Sequence, residues 1–145
     1  MSASVFPRWW RRFRRETKAA AMLEFAIVVP LLFAFVFGIV DFGRFFFLYN
    51  NLSNAAREGA RLAAVSPMST AADITTTTAA VIAAVRSRIN DRNAATANVQ
   101  LITVGTSPAQ TVRVSITAYP FARAIPVLVP ASLPTVRAEF RYEYQ

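Results

Sequence analysis

The sequence predicts an α+β chain in which one long amino-terminal helix crosses a membrane and continues outside it. A second helix and a small three-stranded antiparallel sheet follow. Three observations carry this prediction. Residues 19–40 form an apolar run of 22 residues; a bilayer core about 30 Å thick needs about 20 such residues as helix. Apolar residues then recur at alternating spacings of three and four as far as residue 65, which is the helical period. After residue 93 the period switches to two, which marks strands.

Composition narrows the function classes. The chain has 145 residues, enough for a small domain plus an anchor and too few for two large domains. Its 54% hydrophobic share exceeds the roughly 45–50% of soluble domains. With no Cys and no His, there is no disulfide framework, thiol nucleophile, imidazole base or Cys/His zinc site. The acids of the later part, Glu58, Asp73, Asp91, Glu139 and Glu143, have no metal-ligand spacing. The 4 glycines form no phosphate-cradling loop. Neither an enzyme nor a cofactor is expected.

Charge sets the orientation. The net charge is +8, and residues 1–18 hold Arg8, Arg11, Arg12, Arg14, Arg15 and Lys18 against the single acid Glu16. A basic cluster can bind nucleic acid, but this one contains Trp9 and Trp10 and abuts the apolar run. It therefore reads as a topogenic signal and predicts no nucleic-acid partner. Lys and Arg crowding one flank keep that flank in the cytoplasm and send the rest of the chain across the membrane. Trp9, Trp10 and Phe13 then suit the interface, with the arginines contacting anionic membrane lipid.

The apolar run carries one anomaly. Glu24 lies one turn inside it, where a lone carboxylate costs up to about 2.5–3.5 kcal/mol at the bilayer centre and calls for a cation. Small residues Ala19, Ala20 and Ala21 precede the run, whereas a secretory signal places its cleavage site after it. A basic leader, a small residue and Glu at the fifth position of an otherwise apolar helix resemble the signal of type IV prepilins. The stretches AAAMLEFAIVVPLLF (19–33), GIVDFGR (38–44) and NAAREGARLAA (54–64) more closely resemble the TadE-like family, minor pilins and pseudopilins of the tight-adherence (Flp, type IVc) pilus system.

The resemblance implies a membrane prepilin peptidase cutting between Ala19 and Ala20, so that Glu24 becomes the fifth residue of the mature chain. The family usually has Gly before the cut, where this chain has Ala19, the next smallest side chain. It also implies that Glu24 pairs with the new α-amine of a neighbouring subunit during assembly. The partners implied are other pilin subunits, the peptidase and the tight-adherence assembly machinery. The location implied is the bacterial inner membrane, single-pass, with the C-terminal domain periplasmic, or extracellular after assembly. The competing reading is an uncleaved single-pass protein with an exported binding domain; it explains everything except Glu24 and its spacing.

The remaining elements follow in order. Three segments are expected: a cytoplasmic leader at 1–19, the transmembrane and extended helix at 20–65, and the exported domain at 66–145. Pro30 removes a backbone donor within the span and predicts a kink or local loosening. Asp41 and Arg44, three apart on one helix face, mark the exit from hydrocarbon. Past them Phe45, Leu48, Leu52, Ala55, Gly59 and Leu62 form an apolar seam opposite Asn50, Asn54, Arg57 and Arg61. The seam can pack on the chain's own sheet or on a partner helix, and Gly59 predicts the close approach of another backbone.

Ser66-Pro67 stops the helix. A second helix from residue 71 or 72 to 89 turns Ile74, Val81, Ile82, Val85 and Ile89 to one side. Val99, Leu101 and Thr103, then Val112, Val114, Ile116 and Ala118, alternate around a turn at 105–108. Val136, Ala138, Phe140, Tyr142 and Tyr144 alternate with Arg137, Glu139, Arg141 and Glu143, which suits cross-strand charge pairs over one buried face. Between the last two strands, residues 119–134 hold four prolines and are too apolar to stay uncovered. They must pack under the helices, touch the membrane surface or form an assembly contact.

Overall fold

The computed structural model describes residues 17–105, 110–125 and 129–143. Helix α1 spans Thr17–Ala64, α2 spans Ala71–Arg88, and a single 3-10 turn at Ala94–Thr96 leads into the sheet. Strands β1 (Asn98–Val104), β2 (Thr111–Thr117) and β3 (Val136–Arg141) pair antiparallel in the order β1-β2-β3. The α+β layout is the one the periodicities predict. Residues 1–16 of the basic leader, the tip of the β1–β2 turn, residues 126–128 of the proline-rich segment and Tyr144 lie outside the described residues.

At a rise of 1.5 Å per residue, the 48 residues of α1 reach about 70 Å. They divide sharply by environment. From Met22 to Phe37 the large apolar side chains are exposed, apart from the half-buried Val29, with Met22 at 75% and Phe25 at 69%. From Leu48 onward one face is fully covered: Leu52, Ala55, Ala56, Ala60 and Ala63 are at most 1% exposed. Small side chains let the helix lie close on β2 and β3 and alongside α2. Opposite them sit the buried Val112, Val114, Ile116, Val136 and Ala138 of the sheet and Val81 and Val85 of α2. The seam thus packs within its own chain.

At Gly59 the approach comes from side chains and not, as expected, from a backbone. A Cβ there would stand 2.4 Å from Val85 Cγ2 and 3.4 Å from Val81 Cγ1.

The end of α1 is tied to the sheet. The last carbonyls of a helix lack intrahelical partners. Here Glu143 N donates to Ala64 O (3.0 Å), Ser66 Oγ to Leu62 O (2.7 Å) and Ser66 N to Ala63 O (3.3 Å). Tyr142 Oη donates to Ser66 O (3.2 Å) and accepts from Met68 N (3.1 Å).

The start of α2 is capped reciprocally. Asp73 N donates to Thr70 Oγ1 (3.1 Å) and Thr70 N to Asp73 Oδ2 (3.0 Å). The threonines after it do not break the helix, because Thr75 and Thr76 donate back to Ala71 O and Ala72 O.

One inward assignment in α2 is wrong: Ile74 is 46% exposed, and Thr77 is buried instead. Its hydroxyl donates to Pro67 O at 2.8 Å, so a polar residue fits the inner face without an orphaned group.

Two strand assignments also shift. β2 ends at Thr117 because Ala118 turns left-handed (φ 50°), so Ala118 is not its fourth inward residue. Phe140 lies across from Val112 on the inner face but stays 40% exposed, since β3 is an edge strand with no neighbour to cover the ring's outer flank. The register places Arg113 opposite Glu139, and their side chains form the expected cross-strand ion pair.

Candidate functional site

The residues singled out by sequence all lie on α1 and fall into two groups. Ala19, Ala20 and Glu24 stand at its start. The bond between Ala19 and Ala20 lies within the first turn from Thr17, where backbone N–H groups have no intrahelical acceptor. Glu24 is exposed and makes no hydrogen bond or ion pair among the described residues. Pro30 is exposed, and the helix continues through it unbroken. The stretch around these residues is long and apolar enough to cross a membrane. A helix apolar all round and uncovered by its own chain needs lipid or other helices around it.

Asp41 and Arg44, expected to mark the helix exit from hydrocarbon, differ in their surroundings. Asp41 is fully buried. Its Oδ2 accepts from Ala124 N (2.7 Å) and Ile125 N (2.9 Å), fastening the proline-rich segment to the helix. Its Oδ1 has no hydrogen bond among the described residues and is only loosely balanced by Arg44 Nη1 at 4.0 Å. Arg44 remains 57% exposed, with its guanidinium 5.7 Å from the centre of the Phe121 ring. Phe45 meets the same ring edge-on at 5.8 Å.

A signal for Asp41 was present in the sequence. Gly38 is buried, and residues 38, 41, 45, 48, 52 and 55 continue the alternation of three and four backward from the seam. The carboxylate belongs to the stripe that packs.

The segment between β2 and β3 is covered by its own domain. Tyr119, Phe121, Val129 and Leu133 are buried. Its two arms form an irregular hairpin: Phe121 N donates to Ala131 O and Leu133 N to Tyr119 O, both at 2.9 Å, with one isolated bridge between Pro120 and Ser132. Tyr119 Oη donates to Asp91 Oδ2 at 2.8 Å. Burial, reinforced by that carboxylate, pushes the Tyr119 hydroxyl pKa well above its ordinary value.

Two clefts flank α1 in this half. The upper one is polar, lined by Asn50, Asn51, Asn54, Glu58 and Arg88, with Phe47 at its lower edge and a volume of about 480 Å³. Glu58 accepts from Arg61 at 3.0 Å and faces Arg88 at 3.8 Å. The Arg61 guanidinium holds its carboxyl below the usual range. The lower cleft, about 370 Å³, opens between α1, the turn at residues 90–93 and the 120–122 segment; its walls include Arg44, Phe47, Arg92 and Phe121. Among the described residues, no three acids gather where they could hold a metal ion.

The family model described as TadE-like protein matches residues 19–61. Those residues are α1 from its first turn to Arg61, and they include Glu24, Pro30, Asp41, Arg44 and Gly59. Comparison with curated proteins and with solved structures gives no match.

Proposed function

We propose that this chain is a minor pilin or pseudopilin of a tight-adherence (Flp) pilus system, inserted in the inner membrane as a prepilin and drawn on for pilus assembly or priming. The observation that carries the reading is Glu24, an exposed carboxylate with no partner among the described residues, on an all-round apolar stretch of the segment that matches the TadE-like family model. A plain anchor gains nothing from such a group. Leucine in its place would insert more favourably by about 3 kcal/mol at mid-bilayer.

Cleavage between Ala19 and Ala20 supplies what Glu24 lacks. Hydrolysis leaves an α-ammonium on Ala20, four residues from Glu24 and on the same helix face. Two opposite charges at a membrane edge relieve each other's desolvation. The ammonium can come from the same chain or from an adjacent subunit, and the second arrangement ties helices together in a fixed stagger. The first-turn position of the bond favours access, since a peptidase must take the strand in extended form and a frayed helix end yields it at least cost.

In this reading the arginine-rich leader stays cytoplasmic, residues 20–40 span the membrane, Arg44 marks the far side, and the α+β domain is presented beyond it. Intact-mass analysis of protein extracted from membranes is expected to show an amino terminus at Ala20; a chain retaining its leader beside an active prepilin peptidase overturns the proposal. Glu24→Leu is expected to insert normally and to abolish assembly. Undiminished fibre formation by that variant removes the role given to Glu24.

A further inference from the structure

The lower cleft has a chemistry of its own. The folded part of the chain meets α1 from Gly38 onward, and the Asp41 latch fixes the level at which it begins. The apolar exposure of α1 does not stop there. Phe42, Phe46 and Phe47 remain 45%, 58% and 62% exposed. From Met22 to Phe47 the uncovered apolar stretch measures about 39 Å along the helix, against about 30 Å of hydrocarbon. The surplus of about 9 Å therefore lies in the headgroup layer of the leaflet facing the domain. The cleft that Phe47 lines lies at that level.

Charge agrees with this placement. Arg44 and Arg92 line the cleft, and the Arg44 guanidinium is steered across its aromatic wall by Phe121. Arg92 is exposed and makes no ion pair among the described residues. Arg123 in the neighbouring loop and Arg137 at the start of β3 add positive charge at the same end of the domain. Of the two acids there, Asp41 is withdrawn, whereas the half-buried Asp91 shares the cleft wall with its carboxylate engaged by neighbours. Asp41 is buried beneath the N–H groups of Ala124 and Ile125. Asp91 accepts from Tyr119 Oη and from Asn93 N (3.4 Å).

From this arrangement we infer that the cleft between Arg44 and Arg92 seats the phosphate of an anionic phospholipid, with the acyl chains running down past Phe47 and, seven residues below it on the same helix face, the exposed Val40, so that the domain is held in one orientation against the bilayer. The inference rests on residues 20–40 spanning the membrane, and needs neither cleavage nor assembly. Each arginine in the headgroup layer is worth about five-fold in anionic lipid occupancy. Two, partly opposed by Asp91, give a preference on the order of ten-fold over a zwitterionic lipid.

The chain contains no cysteine, so A122C provides a single labelling position on the cleft wall. Full-length A122C carrying a fluorophore is reconstituted into phosphatidylcholine vesicles doped with equal fractions of chain-spin-labelled phosphatidylglycerol or spin-labelled phosphatidylcholine. Quenching reports lipid on the domain's side only, so the arginine-rich leader across the bilayer does not contribute. Stronger quenching by the glycerol lipid, retained in R44K/R92K and lost in R44Q/R92Q with an unchanged circular dichroism spectrum, is the expected result. Equal quenching by both lipids overturns the proposal, as does selectivity that survives R44Q/R92Q. Selectivity erased by inorganic phosphate, but not by chloride at the same ionic strength, assigns the cleft to a soluble anion and likewise overturns it. Protein that fails to float with the vesicles refutes the membrane span itself, a separate outcome from loss of selectivity in protein that floats.

Discussion

Replacing Gly59 by alanine sets two known effects against each other at a site where distance decides between them. Alanine is favoured over glycine in a helix interior by about 1 kcal/mol, so on an open helix face the substitution would stabilise. Here the new Cβ would stand 2.4 Å from Val85 Cγ2, more than 1 Å inside the 3.5–4.0 Å optimum for carbon pairs. Val85 cannot easily yield. It is fully buried on α2, and a β-branched side chain in a helix has one strongly preferred rotamer. The remaining routes are a forced rotamer, costing about 0.5–1.5 kcal/mol, or movement of α2 off α1, and overpacking of this kind costs about 1–3 kcal/mol.

Taking the overpacking cost of about 1–3 kcal/mol against the helix gain of about 1 kcal/mol, the net expectation for Gly59→Ala is destabilisation by up to about 2 kcal/mol, a fall of up to roughly 10 °C in Tm for a domain of this size. Thermal unfolding of the detergent-solubilised chain, followed by circular dichroism, measures it. Val85→Ala alone leaves a void and destabilises by about 2 kcal/mol. Combined with Gly59→Ala the void accommodates the added methyl, so the double variant is expected to be more stable than additivity allows by about 1 kcal/mol or more. A Gly59→Ala chain more stable than the parent, or strictly additive losses, refutes the claim that this glycine is kept for the contact with α2.

The loop latch gives a second prediction. Asp41→Leu orphans the N–H groups of Ala124 and Ile125 and is expected to cost on the order of 3 kcal/mol, with those two amides losing hydrogen-exchange protection first; Asp41→Asn, which keeps an acceptor, is expected to retain much of it. A third concerns acid. Hydrogen bonds from Thr70 and then Ser69 hold the Asp73 carboxyl below its ordinary value. Its stabilising contribution is therefore present above the ordinary carboxylate range and is lost as pH falls through the lowered value. In Asp73→Ala the start of α2 frays at neutral pH and the acid sensitivity of that fraying disappears, as amide exchange over residues 71–74 would read. Tyr119 behaves in the opposite sense. With its pKa raised by burial and by Asp91, its contribution is intact below about pH 10 and is lost as pH rises further. Phenolate absorbance is expected to show one tyrosine resisting ionisation until the domain unfolds, and Tyr119→Phe to abolish that component.

What the sequence announced and what it concealed differ by the kind of physics involved. Periodicity exposed α1, α2 and the three strands, because each buries one face over several turns or pleats and repeats its signal many times. Single-residue exceptions were hidden. Thr77 replaces Ile74 inside α2 because Pro67 O happens to stand where its hydroxyl can donate, a contact between elements that no window on one helix contains. Ala118 ends β2 through a left-handed backbone that its side chain does not advertise. Asp41 seemed to belong to the solvent because it is charged, although its spacing from Gly38 and Phe45 puts it on the packed stripe. The Thr70–Asp73 cap also went unread, although the T-x-x-D pattern that carries it stands just before the expected second helix.

The acids of α1 show why only one of them points outside the chain. Glu24, Asp41 and Glu58 fall at intervals of seventeen residues, about 25 Å apart along the helix. Glu58 is neutralised on the surface by Arg61 and Arg88. Asp41, though wholly buried, is held by two loop N–H groups with a guanidinium at the edge of contact. Both carboxylates thereby find partners within the fold. Glu24 sits on the same rod at the opposite extreme, in the most apolar surroundings of the three. Because α1 is continuous from Thr17 to Ala64, any cation that engages Glu24 takes hold of the same helix whose far half forms one wall of the core. A pull on that end would be carried along the helix to the folded domain, which is what the proposed role in pilus assembly requires.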